Sequence, residues 1–116
     1  MKHHAINYVE FAAKDLGSTE AFFHRVFGWD FTPYGPEYIA FSGSGLEGGF
    51  YQADKMANVN SGSALVVIYS EDLERSLEEV QKAGGTICQD IFAFPGGRRF
   101  HFLEPSGNEL AIWSDK

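Results

Sequence analysis

The sequence predicts an α+β fold made of two β-α-β-β-β modules, and three observations support this prediction. Short runs of alternating apolar and polar residues, bounded by glycine and proline, are typical of strands. Two segments with apolar residues at helical spacing each start at a candidate N-cap, Asp15 or Ser18 in the first and Asp72 in the second, and end at glycine. Matching positions recur at near-constant spacing, since Asp15 and Asp72 are 57 residues apart, as are Gly28 and Gly85.

The first module is predicted to span residues 1–55 of a single 116-residue domain. It starts with the strand-like run AINYVEF and continues with a helix near residues 16–27, in which Phe22, Phe23 and Val26 form an apolar stripe. Three short strand-like runs follow, WDFTPY, EYIAFSG and GGFYQ. The order of these segments is β-α-β-β-β.

The second module is predicted to span residues 60–116 and repeats this order. The strand SALVVIY precedes a helix near residues 72–83, and the strands TICQDIF, RRFHFLE and NELAIWS follow. The segment between the modules, ADKMANVNSGS, is polar and rich in small residues, which is typical of a linker.

Composition excludes several classes of partner. The formal net charge is −7 and no basic stripe is present, so neither nucleic acid nor an anionic membrane surface is an expected partner. No apolar run approaches the ~20 residues of a membrane span, and no signal peptide is visible. The one cysteine, Cys88, allows no intramolecular disulfide, and its strand-like context favours a small buried residue over a reactive thiol. Together these features predict a soluble cytoplasmic protein.

The closing hairpin, RRFHFLEPSGNELAIWS at residues 98–114, has two different faces. The segment 104–108 has the proline, glycine and asparagine of a turn. Alternation on either side places four apolar residues on one face: Phe100, Phe102, Leu110 and Ile112. The opposite face has arginine, histidine, glutamate and tryptophan side chains.

The segment FLEPSGNELAIWS, the DL pair that opens each helix and the glycine after each helix resemble the vicinal oxygen chelate superfamily. This superfamily includes glyoxalase I, bleomycin-resistance proteins, fosfomycin-resistance enzymes and extradiol dioxygenases. The resemblance covers residues 4–114 and implies the glyoxalase/bleomycin-resistance fold, in which each module curls its sheet into a half-barrel. The two half-barrels would form a cupped cavity, which in many members is completed by a homodimer, sometimes through exchange of modules.

The resemblance also implies four positions for the ligands of a divalent metal, commonly His, Glu or Gln. In this sequence they are Tyr8, Gly49, Val66 and Ala111, with Leu65 as the alternative to Val66 if the register slips by one residue. Three of these four side chains have no donor atom, and one phenol does not make a site. We therefore expect neither a metal bound in the family's manner nor another cofactor.

The same resemblance places one face of each sheet inside the cavity. Alternation alone fits a solvated sheet face equally well, but the large aromatic residues Tyr8, Tyr38 and Trp113 favour a ligand site. The small residues Gly49 and Ala111 would leave room for an organic molecule. The candidate ligand-binding residues are Tyr8, Glu10, Tyr38, Gly49, Tyr51, Val66, Arg99, His101, Ala111 and Trp113.

Individual roles remain open at this level. Glu10 is either a solvated or paired carboxylate or the group that holds the cationic end of a ligand. His101 is either a structural histidine or, with Glu10, half of a catalytic acid–base pair. Arg99 either pairs with Glu10 or holds a ligand carboxylate.

Four functions follow from these alternatives. The leading hypothesis is a metal-free protein that binds a small aromatic or amphipathic molecule in a cleft shared by the two subunits of a homodimer. The second is a metal-independent enzyme that uses Glu10 and His101. The third is a metal-dependent lyase, isomerase or dioxygenase whose ligands lie elsewhere, and the fourth is a protein that functions through its dimer interface alone. Whether the protein is an enzyme is left open.

Overall fold

A computed structural model describes residues 1–116 and has the predicted α+β architecture. The chain forms two helices and eight strands, together with a short 3-10 helix at Val59–Ser61. The elements of the first half are β1 (Tyr8–Ala13), α1 (Leu16–Phe27), β2 (Asp30–Pro33), β3 (Tyr38–Ser42) and β4 (Glu47–Gln52). Those of the second half are β5 (Val67–Tyr69), α2 (Leu73–Lys82), β6 (Thr86–Phe94), β7 (Gly97–Leu103) and β8 (Glu109–Ser114).

The strands form two separate four-stranded sheets, neither of which closes into a barrel. The N-terminal sheet has the order β1-β4-β3-β2 and the C-terminal sheet the order β5-β8-β7-β6. In both sheets the first strand pairs in parallel with the last, and the remaining pairs are antiparallel. β1 and β5 are therefore edge strands, each with one side unpaired.

Both helices begin at the predicted aspartates. The carboxylate of Asp15 accepts a hydrogen bond from the Ser18 N–H at 3.2 Å, and Asp72 caps α2 in the same way through Arg75. α1 ends at Gly28, whose φ of 74° lies in the left-handed region that glycine adopts without strain. Neither helix has the length and apolar character needed to cross a membrane.

The core lies where the helices pack on one face of each sheet. The predicted apolar face of the closing hairpin is fully buried there, with Phe100, Phe102, Leu110 and Ile112 each at 0% exposure. Aromatic residues of α1 and the N-terminal sheet join the same cluster, since Phe23 stacks on Trp29 with 4.8 Å between ring centroids. Most of the high phenylalanine content therefore packs in the core.

Cys88 is exposed, so the prediction of a buried cysteine is wrong. It lies in β6 where the pairing with β7 shifts register between Ile87 and Gln89. Its neighbour Ile87 packs against the core, so Cys88 points to the opposite side of the strand and the thiol lies outside the core.

The two halves are joined by a buried polar cluster around Glu104. This carboxylate is 2% exposed and accepts hydrogen bonds from the Thr19 hydroxyl of α1 (2.7 Å) and from the backbone N–H of Ser106 (2.9 Å). Its second oxygen accepts from the side-chain amide of Asn108 at 2.7 Å. The β7–β8 turn is thereby held beneath the start of α1.

Asn108 extends this cluster to β1 and to the linker. Its amide nitrogen also donates to the carbonyl oxygen of Ala12 at 2.7 Å, and its amide oxygen accepts from the N–H of Ala57 at 2.8 Å. Asn108 is fully buried. One side chain therefore satisfies polar groups from three separate segments of the chain.

Replacing this side chain should destabilise the whole fold. Asn108→Ala removes three buried hydrogen bonds of the side chain and leaves the carbonyl of Ala12 and the N–H of Ala57 without that partner. We expect the free energy of unfolding to fall by about 3 kcal/mol or more, measured by urea denaturation. Asn7→Ala, at an exposed position, is the control and should change stability by less than about 0.5 kcal/mol. Equal stability of the two variants would contradict the role assigned to Asn108.

Candidate functional site

Each sheet has one face that points away from the core, and these faces hold most of the predicted site residues. Val9 and Phe11 of β1 pack in the core, so their neighbours Tyr8 and Glu10 lie on the open face of the N-terminal sheet. We call this surface the N face; it also contains Tyr38, Ala40, Gly49 and Tyr51. The C face is the corresponding surface of the C-terminal sheet, with Arg99, His101, Glu109, Ala111 and Trp113.

A chain of hydrogen bonds crosses the N face. The Tyr38 hydroxyl donates to the Glu10 carboxylate at 2.8 Å, and the hydroxyl oxygens of Tyr8 and Tyr38 are 2.6 Å apart. Because Tyr38 has one proton and gives it to Glu10, Tyr8 must be the donor to Tyr38. Burial raises the pKa of the Tyr38 phenol, and its hydrogen bonds with Tyr8 and Glu10 raise it further, so Tyr38 remains neutral at physiological pH.

The space beside Gly49 is filled, so the expectation that this glycine leaves room for an organic molecule is wrong. A Cβ atom at Gly49 would lie 2.1 Å from the Tyr38 hydroxyl oxygen. Because Gly49 has no side chain, the Tyr38 ring packs in the space beside it. Gly49 is paired with Glu10 on the neighbouring strand, so Tyr38 reaches Glu10 from this position. Tyr51 is exposed and is paired with Tyr38 across β3 and β4, but it takes no part in these hydrogen bonds.

On the C face, a shallow recess of about 250 Å³ is lined by Val67, Phe94, Arg99 and Trp113. The Trp113 ring packs edge-on against Tyr69, with 5.2 Å between centroids, and also lies near Phe94. The Tyr69 hydroxyl donates to Asp115 at 2.6 Å, which holds that ring in place. The recess therefore has rigid aromatic walls and one cationic group.

The guanidinium of Arg99 lies beside aromatic rings and does not pair with a carboxylate. Its central carbon is 5.2 Å from the Phe92 ring centroid and 5.6 Å from that of Phe94. The Nε atom is buried without a hydrogen-bond partner. The predicted alternative of an Arg99–Glu10 pair is absent because the two residues belong to different sheets. Arg99 thus remains free to meet an anionic group.

His101 pairs with Glu109 and not with Glu10. Its Nδ1 atom is 2.8 Å from the Glu109 carboxylate, which also accepts from the N–H of Val59 at 3.0 Å. His101 is only 4% exposed, and its Nε2 atom has no partner. The predicted acid–base pair of Glu10 and His101 does not form within one chain, because the two side chains lie on different sheets and have separate partners.

Glu109 was absent from the candidate residues predicted from sequence, although the sequence contained a signal for it. Glu109 precedes Ala111 and Trp113 by two and four residues, so alternation along β8 puts all three on one face. Burial alone would raise the pKa of the Glu109 carboxyl, but hydrogen bonds from Val59 and His101 outweigh burial and hold that pKa below its usual range.

Val66 is not on the C face. It packs against the core, and the residue paired with Ala111 is Val67, which is 42% exposed. The sequence-based alignment named Val66 where the structure has Val67. In a strand, a shift of one residue moves a side chain to the opposite face. Ala111 is fully buried between its neighbours on β5 and β7.

These residues do not fit the divalent metal that the family resemblance implies. Gly49, Val67 and Ala111 offer no side-chain donor, and the space beside Gly49 holds the Tyr38 phenol. No group of three or more His, Cys, Asp or Glu side chains has the arrangement of a metal site.

The N face and the C face do not form one cavity within the chain. No hydrogen bond or ion pair joins Tyr8, Glu10 or Tyr38 to a residue of the C face. A larger apolar groove of about 620 Å³ lies between the edge strands β1 and β5. Its walls include Ile6, Tyr8, Leu46, Val67 and Tyr69, all of which are exposed.

Comparison with known proteins places this architecture in a family. Residues 5–112 match the family model of the glyoxalase/bleomycin resistance protein/dioxygenase superfamily. No curated protein sequence matches the chain.

Solved structures share the fold at low identity. A glyoxalase-related enzyme from Fulvimarina pelagi is 18% identical with a TM-score of 0.78, covering 96% of this chain and 88% of that one. A genomically encoded fosfomycin resistance protein from Listeria monocytogenes is 16% identical with a TM-score of 0.79, covering 97% and 94%. Lactoylglutathione lyase from Agrobacterium tumefaciens is 17% identical with a TM-score of 0.70, covering 96% and 93%.

The Glu109–His101 pair should make stability depend on pH. Because the pKa of Glu109 is lowered by folding, its contribution is present above the ordinary glutamate pKa of about 4.3 and is lost as pH falls through the lower folded-state value. Glu109→Gln should therefore lower the free energy of unfolding at pH 7 by about 1.5–3 kcal/mol, and the deficit should shrink below about pH 4.3.

Urea denaturation between pH 3 and pH 7 measures this difference. Glu78→Gln removes an exposed carboxylate on α2 and serves as the control, with no such deficit expected. A deficit for Glu109→Gln that stays constant down to pH 3 would refute the interpretation.

Proposed function

Because the chain belongs to the glyoxalase/bleomycin resistance protein/dioxygenase superfamily, we propose that it uses the family's sheet faces to bind a small aromatic or amphipathic molecule without a metal. The observation that carries this proposal is the composition of the faces. At three of the four metal-ligand positions the side chain has no donor atom, and aromatic walls with one free guanidinium line the C face. This is the mixture of apolar surface and few polar groups typical of ligand sites.

The ligand would contact the C face through two kinds of interaction. An aromatic ring would pack against Trp113 and Phe94, whose arrangement is held by the Tyr69–Asp115 hydrogen bond. A carboxylate or similar anionic group would meet Arg99, which has no carboxylate partner of its own. Shape and charge together would select the ligand.

The complete site would lie between two subunits. The recess on the C face is small and open, and the groove between β1 and β5 exposes apolar side chains next to two unpaired strand edges. Exposed strand edges and apolar surface of this kind are usually covered by a partner. A second copy of the chain would cover this groove and bring an N face opposite a C face.

One observation favours catalysis as a second candidate. The His101 imidazole is held by Glu109 and keeps a free Nε2 atom, as in a general base oriented by a carboxylate. Because His101 is 4% exposed, a substrate would reach Nε2 only after neighbouring side chains moved aside; the Phe92 ring centroid lies 6.0 Å from that of the imidazole. Turnover of a bound compound that is lost in His101→Gln would support an enzyme over a binding protein.

The binding hypothesis predicts a specific role for Trp113. A screen of aromatic carboxylates by thermal shift should yield a ligand, and Trp113→Ala should weaken its binding by about 1–3 kcal/mol through loss of stacking and buried area. Isothermal titration calorimetry on EDTA-treated protein measures this change. Trp113→Phe retains a ring and should lose much less affinity. Affinity that is unchanged in Trp113→Ala, or abolished by EDTA, would argue against the proposal.

The dimer hypothesis predicts a mass twice the 12.9 kDa of the chain by light scattering at micromolar concentration. Val67→Asp places a charge in the groove between β1 and β5 and should give a monomer. Val59→Asp is the control, because Val59 is similarly exposed but outside this groove, and it should stay dimeric. A monomeric unmodified protein would exclude the shared cleft.

A further inference from the structure

The N face contains a recess to which the proposal above assigns no part of the ligand. It has a volume of about 410 Å³ and crosses the strands of the N-terminal sheet. Three tyrosine rings line it, Tyr8, Tyr34 and Tyr38, and the Glu47 carboxylate lies at its edge. Tyr8 and Glu47 are paired positions on β1 and β4, so their side chains lie next to each other on the N face.

The tyrosine rings of the recess are available to a ligand. None of the three stacks on another aromatic residue, in contrast to the rings of the core. Tyr34 is 66% exposed and Tyr8 42% exposed. The face of an aromatic ring carries partial negative charge and attracts a cation within about 6 Å of its centre. Rings gathered around one recess are suited to a cation that also has apolar substituents.

The charges around the recess are negative and uncompensated. Glu47 forms no ion pair or hydrogen bond, and Glu10 is held only by the hydroxyl of Tyr38. The two tyrosine hydroxyls of the hydrogen-bond chain direct their protons toward Glu10, which leaves a lone pair of Tyr8 open to a donor. The net charge of −7 adds a favourable long-range field.

We propose that this recess binds the ammonium group of an organic cation, with Tyr8, Tyr34 and Tyr38 around the group and Glu47 as its counter-ion. An alkylated ammonium fits better than a bare metal ion, because neutral phenols and one carboxylate are a poor ligand set for a metal but a good aromatic enclosure. The inference rests on the proposed function and extends it, because it specifies that the N face would bind the ammonium group of the ligand.

Choline tests the inference, with 3,3-dimethylbutan-1-ol as a neutral molecule of nearly the same shape. Each is titrated into ¹⁵N-labelled full-length protein and followed by amide chemical shifts. Choline should shift the amides around the recess, among them those of Thr32, Tyr34 and Glu47, and the neutral alcohol should bind at least several-fold more weakly. Higher salt should weaken choline binding, because the carboxylate is exposed.

Variants locate the site. Tyr34→Ala should raise the dissociation constant for choline about 2–5-fold, the range for one exposed cation–π contact, and the double variant with Glu47→Gln should raise it further. Both residues are exposed, so the fold should be retained. Glu78→Gln, which removes the same charge from α2, should have little effect.

Three results would overturn the inference: equal affinity for choline and the alcohol, choline shifts that map away from the recess, or unchanged affinity in the double variant. The choline titration uses variants of the N face alone, whereas Trp113→Ala on the C face is tested with a carboxylate ligand. Failure of the cation site is thereby separated from failure of the aromatic site, which is tested with a carboxylate ligand.

Discussion

The fold depends on one buried carboxylate, that of Glu104. A carboxylate taken out of water is costly unless hydrogen bonds replace its hydration, and here the donors come from Thr19 of the first half and from the β7–β8 turn of the second. The hydrogen bond from Thr19 forms only when the two halves are docked. The same cluster holds Asn108 against β1 and the linker, so the position of one sheet relative to the other follows from it.

On this scaffold, two sheets of the same topology have acquired faces of opposite character. The N face has carboxylates among tyrosine rings, whereas the C face has a guanidinium among phenylalanine and tryptophan rings. The fold requires only that, along each strand, the side chains of the exposed face alternate with side chains that pack in the core. The chemistry of the two faces can therefore differ without disturbing the core.

Gly49 stands at one of the four metal-ligand positions, and the side chains around it are packed to suit a residue without a donor atom. Gly49 has no side chain, and the Tyr38 ring occupies the space beside it while donating to Glu10. A β-carbon at Gly49 would displace that ring and break the hydrogen-bond chain. The glycine, the tyrosine and the glutamate are thus one structural unit, and the lack of a donor at Gly49 is coupled to the presence of a phenol beside it.

Local sequence determined the helices, the order of the strands and which hairpin residues are buried, because N-caps, glycine stops and alternation act over a few residues. The same alternation put Glu109 beside Ala111 and Trp113. Tertiary structure decided what alternation cannot: that Tyr38 covers Gly49, that His101 pairs with Glu109 and not Glu10, and that Val67 and not Val66 joins the C face. Those outcomes depend on strand register and on which sheet a residue belongs to, and both are set by contacts between segments far apart in sequence.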